Sequence, residues 1–174
     1  FAFTPENMEK ARTIIGRYPE GRQASAVMGL LDLAQRRVGA ETNTQGWLPV
    51  PVIEYVAAQL GMPYMRAYEV ATFYTMFNLA PVGRYHVQVC GTTPCMLRGS
   101  DELFKVCKSR IHHDPLHVSE NGDFSWEEVE CLGACVNAPM ALIGSDTYED
   151  LTPESLNKIL DGFASGKPVK PGPQ

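Results

Sequence analysis

All five cysteines of this chain lie between Tyr85 and Ala138, and four of them form two close pairs, Cys90-Gly-Thr-Thr-Pro-Cys95 and Cys131-Leu-Gly-Ala-Cys135. Each pair follows an alternating, strand-like run: Tyr85-His-Val-Gln-Val before the first and Phe124-Ser-Trp-Glu-Glu-Val-Glu before the second. Two thiols at the end of each of two strands is a metal-site arrangement. Four thiolates satisfy either a tetrahedral zinc ion or a 2Fe-2S cluster, since both accept four soft sulfur ligands. Structural zinc tolerates these spacings, although a two-residue gap is commoner; a C-x4-C loop is one that iron-sulfur proteins use. Spacing therefore leans toward the cluster and leaves zinc open, while it argues against a C-x-x-C dithiol redox pair.

The remaining thiol and the nearby imidazoles read differently. Cys107 sits with Leu103, Phe104 and Ile111 on the apolar face of an expected helix, where free cysteine behaves as a small hydrophobe. His112 and His113 follow that helix and are expected to satisfy its terminal carbonyls rather than to bind metal. A Rieske centre would need two histidines and only two cysteines, which the four paired cysteines do not leave room for.

The elements that must position these thiols come in two blocks. Residues 1–82 read as a small helical bundle. Thr4-Pro5 starts a helix with Met8, Ala11 and Ile15 in period, and a second runs from Arg22 to Val38 with Gly39 as its stop. A third follows Pro49 and Pro51 and carries Ile53, Val56, Ala57 and Leu60, and a fourth opens at Pro63. The end of the fourth, Phe73, Tyr74, Met76 and Phe77, is apolar on several faces and calls for cover. Pro81-Val82-Gly83 is the expected boundary.

Residues 83–164 alternate strand and helix. Tyr85 to Cys90 is a strand, Gly99-Ser100 starts a helix, and Leu116 to Ser119 with Phe124 to Glu130 read as a hairpin around Glu120-Asn-Gly-Asp123. Met140 to Ile143 is a further strand, and Thr152-Pro-Glu154 caps a last helix with Leu156, Ile159, Leu160 and Phe163 inward. The class is α+β, in the order β-α-β-β-β-α after the bundle. Residues 165–174 form an extended tail rich in Pro and Gly, expected to be mobile or laid along a neighbouring protein.

Composition narrows the function classes. With 174 residues and 44% apolar content the chain can bury a real core. No run approaches the roughly 18 apolar residues of a membrane helix, so membrane association is expected only through partners. The net charge of -5 argues against nucleic acid. That charge is unevenly spread: seven basic and seven acidic residues cancel up to Val82, while eight basic and thirteen acidic follow from Gly83. An odd number of cysteines with metal-like pairing suits a reducing compartment. The chain begins at Phe1 rather than Met, so this end is not informative about targeting. There is no phosphate-cradling glycine loop, nucleophile elbow or acid-base pair.

The sequence around the cysteines adds a resemblance. Val89-Cys-Gly-Thr-Thr-Pro-Cys-Met-Leu-Arg-Gly99 and Val129-Glu-Cys-Leu-Gly-Ala-Cys-Val-Asn-Ala-Pro-Met140 resemble the thioredoxin-like 2Fe-2S ferredoxins. More narrowly, they are similar to the small iron-sulfur subunits of the NADH-oxidising module of respiratory complex I. Tyr68-Glu-Val-Ala-Thr-Phe-Tyr-Thr-Met-Phe-Asn78 and Tyr148-Glu-Asp-Leu-Thr-Pro-Glu154 extend the likeness over most of the chain.

The resemblance implies a thioredoxin-like domain carrying a 2Fe-2S cluster, with Cys90 and Cys95 on one iron and Cys131 and Cys135 on the other. Gly91, Gly133 and Ala134 are then expected to let peptide N-H groups approach the sulfurs. Reduction takes the cluster and its thiolates from about -2 to about -3, so Glu127, Glu128 and Glu130 are expected to bias it toward low potential unless Arg98 or partner charge offsets them. FMN and NADH are expected on a flavin-containing partner protein, among the other components of complex I. The implied location is peripheral, on the cytoplasmic side of a bacterial inner membrane or the matrix side in a mitochondrion. Similar subunits occur in NAD-linked hydrogenases and formate dehydrogenases, and a structural zinc interaction module is the reading from another class.

Overall fold

The computed structural model describes residues 1–174 and divides into two compact units, Phe1–Pro81 and Val82–Gln174. The first holds four helices, α1 (Pro5–Ile15), α2 (Val27–Thr42), α3 (Val50–Gln59) and α4 (Tyr64–Phe73). Thr4 caps α1 as expected, its hydroxyl accepting the Asn7 N-H, and the stripe Val27, Leu30, Leu31, Ala34 and Val38 is buried on α2.

Helix α2 differs from the sequence expectation at both ends. Residues Gln23–Ala26 form a 3-10 turn before it, and the helix runs through Gly39 to end at Asn43 with φ 54°. Gly39 is not a stop. A Cβ there would lie 2.7 Å from Thr44 O and 3.0 Å from Gly46 N, so glycine admits the following loop against the helix. Gln35 holds the end of this unit together from the same helix: its Nε2 donates to Met76 O, and its Oε1 accepts from Asn78 N.

The second unit is a five-stranded sheet with helices packed against it. Its elements are β1 (Tyr85–Cys90), α5 (Thr93–Leu97), α6 (Ser100–Arg110), β2 (Phe124–Val129), β3 (Ala141–Ile143), β4 (Asp146–Glu149), α7 (Pro153–Ala164) and β5 (Gly172–Pro173). The strand order is β2-β1-β3-β4-β5, with β1 parallel to β2, antiparallel to β3, and β4 parallel to β5. The β1 to β2 crossover carries α6, as a parallel pair requires. Val87, Val89, Phe124, Trp126, Ala141 and Ile143 share one core with Leu103 and Cys107 of α6 and Leu156, Ile159 and Leu160 of α7. A capping box of Thr152 and Ser155 begins α7.

Three expectations are corrected in this unit. Residues 116–119 are not a strand: their backbone reaches β2 only through Leu116 N and Ser119 N, which donate to Trp126 O and Phe124 O, and Leu116 sits at φ 62°. An unexpected strand is present instead, since Gly144-Ser145 turns β3 directly into β4 with Gly144 at φ 69°. The tail folds back on its own sheet, because Gly172–Pro173 extends it at β4 and Gln174 N donates to Glu149 O.

Candidate metal centre

Strand β1 ends at Cys90, whose N-H donates to Met140 O, and Gly91 N donates to Val129 O, so this end is fastened to both neighbouring strands. Cys95 follows on the short helix α5 rather than in an open loop, an element the cysteine spacing does not reveal. Cys131 lies two residues beyond β2, and Cys135 opens a 3-10 turn, Cys135–Asn137. That turn is held down by Asp150 N donating to Asn137 O and by Asn137 Nδ2 donating to Glu149 Oε2. The chain thus brings all four predicted cysteines to one end of the sheet.

They meet as two pairs. Cys131 Sγ and Cys135 Sγ are 3.3 Å apart, and the Cys90 and Cys95 thiols each shift the ionisation of the other. The pairs feel one another electrostatically, Cys95 through Cys135 and Cys131 through Cys90. One pair is hidden, Cys90 and Cys95 each being 1% exposed within a small cluster of their own with Ala138 and Met140; the other pair is exposed.

Electrostatics differ within each pair. Burial and the bond to Cys90 push the Cys95 thiol up to about 11. Burial also opposes ionisation of Cys90, yet hydrogen bonds from Thr92, Cys95 and the Leu132 N-H hold it below the ordinary thiol value. The Gly133 N-H, with Cys135 and Thr92, does the same for Cys131, while Cys135 is raised by its bond to Cys131. One thiol of each pair is therefore easier to ionise than its partner, and the thiolate is the form that binds metal.

Thr92 is a contributor that the cysteine spacing does not announce. Its Oγ1 is 3.2 Å from Cys90 Sγ, and it also helps to lower the Cys131 thiol, so one hydroxyl acts on both pairs. A hydroxyl two residues beyond a cysteine in a tight turn is the available signal. Gly133, at φ 91°, supplies the bend that aims its N-H at Cys131. Gly91 plays another part, since a Cβ there would fall 2.0 Å from Glu128 Oε1: the space belongs to the Glu128 side chain.

Of the three glutamates, Glu128 and Glu130 are exposed, but Glu127 turns inward. Its Oε1 accepts from Gln88 Nε2 at 2.7 Å and lies 3.0 Å from His86 Nε2, while His86 Nδ1 meets Ser125 Oγ at 2.7 Å. Burial opposes its charge, but the bonds from His86 and Gln88 outweigh that and leave Glu127 below the ordinary carboxylate range. Cys107 is 0% exposed in the α6 core, and burial pushes its thiol up to about 12. His112 and His113 do not cap α6 through their rings; both Nδ1 atoms meet Asp114 instead.

Four thiols in two pairs, with peptide N-H groups of Leu132, Gly133 and Met140 aimed at their sulfurs, fit a 2Fe-2S cluster in donor chemistry and in stabilisation of negative sulfur. Comparison with known proteins points the same way. The profile of the thioredoxin-like 2Fe-2S ferredoxins matches residues 11–164. A component of the NADH-quinone oxidoreductase of Rhizobium meliloti (strain 1021) is 56% identical over 177 aligned positions, which take in 100% of this chain and 62% of that protein. Its counterpart in the NADH-quinone oxidoreductase of Rickettsia bellii (strain RML369-C) is 57% identical over 92% of this chain and 93% of its own length. A solved NAD+-reducing NiFe hydrogenase in the air-oxidized state superposes with a TM-score of 0.64 at 17% identity, over 82% of this chain and 23% of the hydrogenase chain, a likeness of fold.

Proposed function

Because the chain belongs to the thioredoxin-like 2Fe-2S ferredoxin family, we propose that it is the electron-transfer subunit of an NADH-quinone oxidoreductase, with Cys90, Cys95, Cys131 and Cys135 as the ligands of its 2Fe-2S cluster. The observation that carries this reading is the convergence of the two cysteine pairs at one end of the sheet, one pair buried and the other at the surface. Bound there, the cluster supplies a one-electron carrier. The chain's own residues do the rest. Thr92, Leu132, Gly133 and Met140 donate hydrogen bonds to the thiolates and favour their negative charge. Cys90, Cys95, Ala138 and Met140 exclude water from the inner side.

The outer side suits a protein partner. Met96, Leu97 and Val136 are 50%, 76% and 93% exposed on the two segments that deliver Cys95 and Cys135. Apolar side chains around an exposed redox site favour a dry, close contact, which short-range electron transfer needs. The partner in this reading is the flavin-containing NADH-binding protein of the complex, alongside its other components. Because NADH gives up two electrons as hydride, a flavin in that partner stands between nicotinamide and a one-electron centre. No helix of the chain is long and apolar enough to cross a membrane. In this reading it lies peripherally, on the cytoplasmic side in a bacterium or the matrix side in a mitochondrion.

The test is an anaerobically purified sample examined by visible absorption with iron and sulfide analysis. The expected result is a coloured protein with about two irons and two sulfides per chain. A colourless, zinc-loaded protein would support the structural module instead.

A further inference from the structure

The segment from His112 to His117 is fastened at both ends to Trp126 of β2. The indole Nε1-H donates to His112 O at 2.7 Å, and Leu116 N donates to Trp126 O at 2.8 Å. Leu116 takes φ 62° although its side chain is 53% exposed, so the left-handed turn is not compensated by apolar burial. What the turn achieves is to bring His117 back over His112, the rings stacking at 4.6 Å with planes 11° apart.

The hydrogen bonds bear on which ring nitrogens are free. His117 Nδ1 lies 3.0 Å from Pro115 O, and a carbonyl only accepts, so Nδ1 carries the proton and the neutral ring presents a lone pair at Nε2. This is the backbone-anchored imidazole common among metal-ligating histidines. His112 Nδ1 accepts from Asp114 N at 3.0 Å and lies 3.2 Å from Asp114 O, so it has a partner in either tautomer. An ion at Nε2 would select the form whose Nδ1 proton points to that carbonyl. The Asp114 carboxylate bonds His113 Nδ1 through Oδ1 at 2.9 Å.

One ligand atom each from His112, Asp114 and His117 lie within 4.8 Å of one another. We propose that these three residues form a second metal site, separate from the cysteines, for a divalent transition ion of the Zn2+ or Cu2+ class. Two imidazoles and one carboxylate are too nitrogen-rich and too few in oxygens for Mg2+ or Ca2+. Donors at about 2.0–2.1 Å from a tetrahedral zinc stand roughly 3.4 Å apart. The side chains must therefore close by up to about 1.4 Å, and one ring must swing out of the stack. Asp114 and His117 are exposed and His112 is half-buried, so that movement displaces no core. The remaining positions are left to water.

Only four histidines occur in the chain, and His86 is buried against Ser125 and Glu127, so histidine-based binding falls to this loop. The test is calorimetric titration of the cluster-containing protein with Zn2+, its visible absorption followed in parallel. The expected result is one saturable Zn2+ per chain at micromolar concentration with the cluster absorption unchanged. His117→Ala and Asp114→Asn should each weaken binding by on the order of tenfold or more. Glu120→Gln should retain it, because Glu120 is an exposed acid outside the three ligands. Three results would overturn the site: no saturable binding by the wild-type protein, unchanged affinity in the His112→Ala/His117→Ala double variant, or Zn2+ uptake that bleaches the cluster and so reports the cysteines.

Discussion

Cys95 and Cys107 are equally hidden, at 1% and 0% exposure, and both thiols are pushed up by burial, to about 11 and about 12. Their neighbours separate them: Cys95 faces Cys90 and Cys135, whereas Cys107 faces Leu103 and the α6 core. Replacing Cys90, Cys95, Cys131 or Cys135 by Ala is expected to abolish the 2Fe-2S absorption and electron paramagnetic resonance signals, and Cys107→Ala to retain both. A folded Cys107→Ala protein without colour would refute the ligand set. Glu127 gives a second prediction at this scale. Its pKa lies below the ordinary 4.5 because the His86 and Gln88 bonds outweigh burial, so its stabilisation is complete above 4.5 and is lost as pH falls through the lowered value. Glu127→Gln should therefore cost about 1–3 kcal/mol at neutral pH. The difference in melting temperature between wild type and variant should shrink below pH 4.5. A difference independent of pH would show that the carboxylate charge is not what the pair uses. The cysteine pairs were legible because ligand spacing is a local property of sequence. Thr92 and the inward turn of Glu127 were not, because each depends on a neighbour, Cys131 or His86, that only strand pairing brings near.

Among the elements, long periodic helices were legible and short ones were not. Helices α1, α3, α6 and α7 follow their caps and apolar stripes, but α5 has only five residues and no stripe to read. Asn-Gly at 121–122 signalled a hairpin, yet the segment before it is interrupted by Pro115 and by Leu116 at φ 62°, which turn it into the histidine loop. Of the true hairpin, β3 answers the strand expected at Met140 to Ile143, but β4 is four residues after a Gly-Ser turn, too brief for alternation to show. Strand β5 is two residues of a Pro-rich tail, and its pairing with β4 is a tertiary event. Because all four cysteines and the whole sheet lie after Pro81, a fragment beginning at Val82 is expected to fold and hold its cluster. Circular dichroism and iron content check this. A soluble fragment that takes up no iron would mean that residues 1–81 help to build the site.

For the whole molecule, the acidic half coincides with the redox half: the entire excess of negative charge follows Gly83. Negative charge near a centre that gains an electron opposes reduction, which places the cluster toward low potential in the absence of compensating partner charge. In the proposed reading, hydride chemistry belongs to the flavin-containing partner and single-electron passage to this chain. The measurement that tests this most directly is anaerobic mixing of the isolated, cluster-containing chain with NADH, followed by visible absorption, with a strong chemical reductant as the positive control. The cluster should be reduced by the chemical reductant, not by NADH alone, and by NADH once the flavin-loaded partner protein is added. Rapid reduction by NADH in a preparation free of flavin would contradict this division of labour.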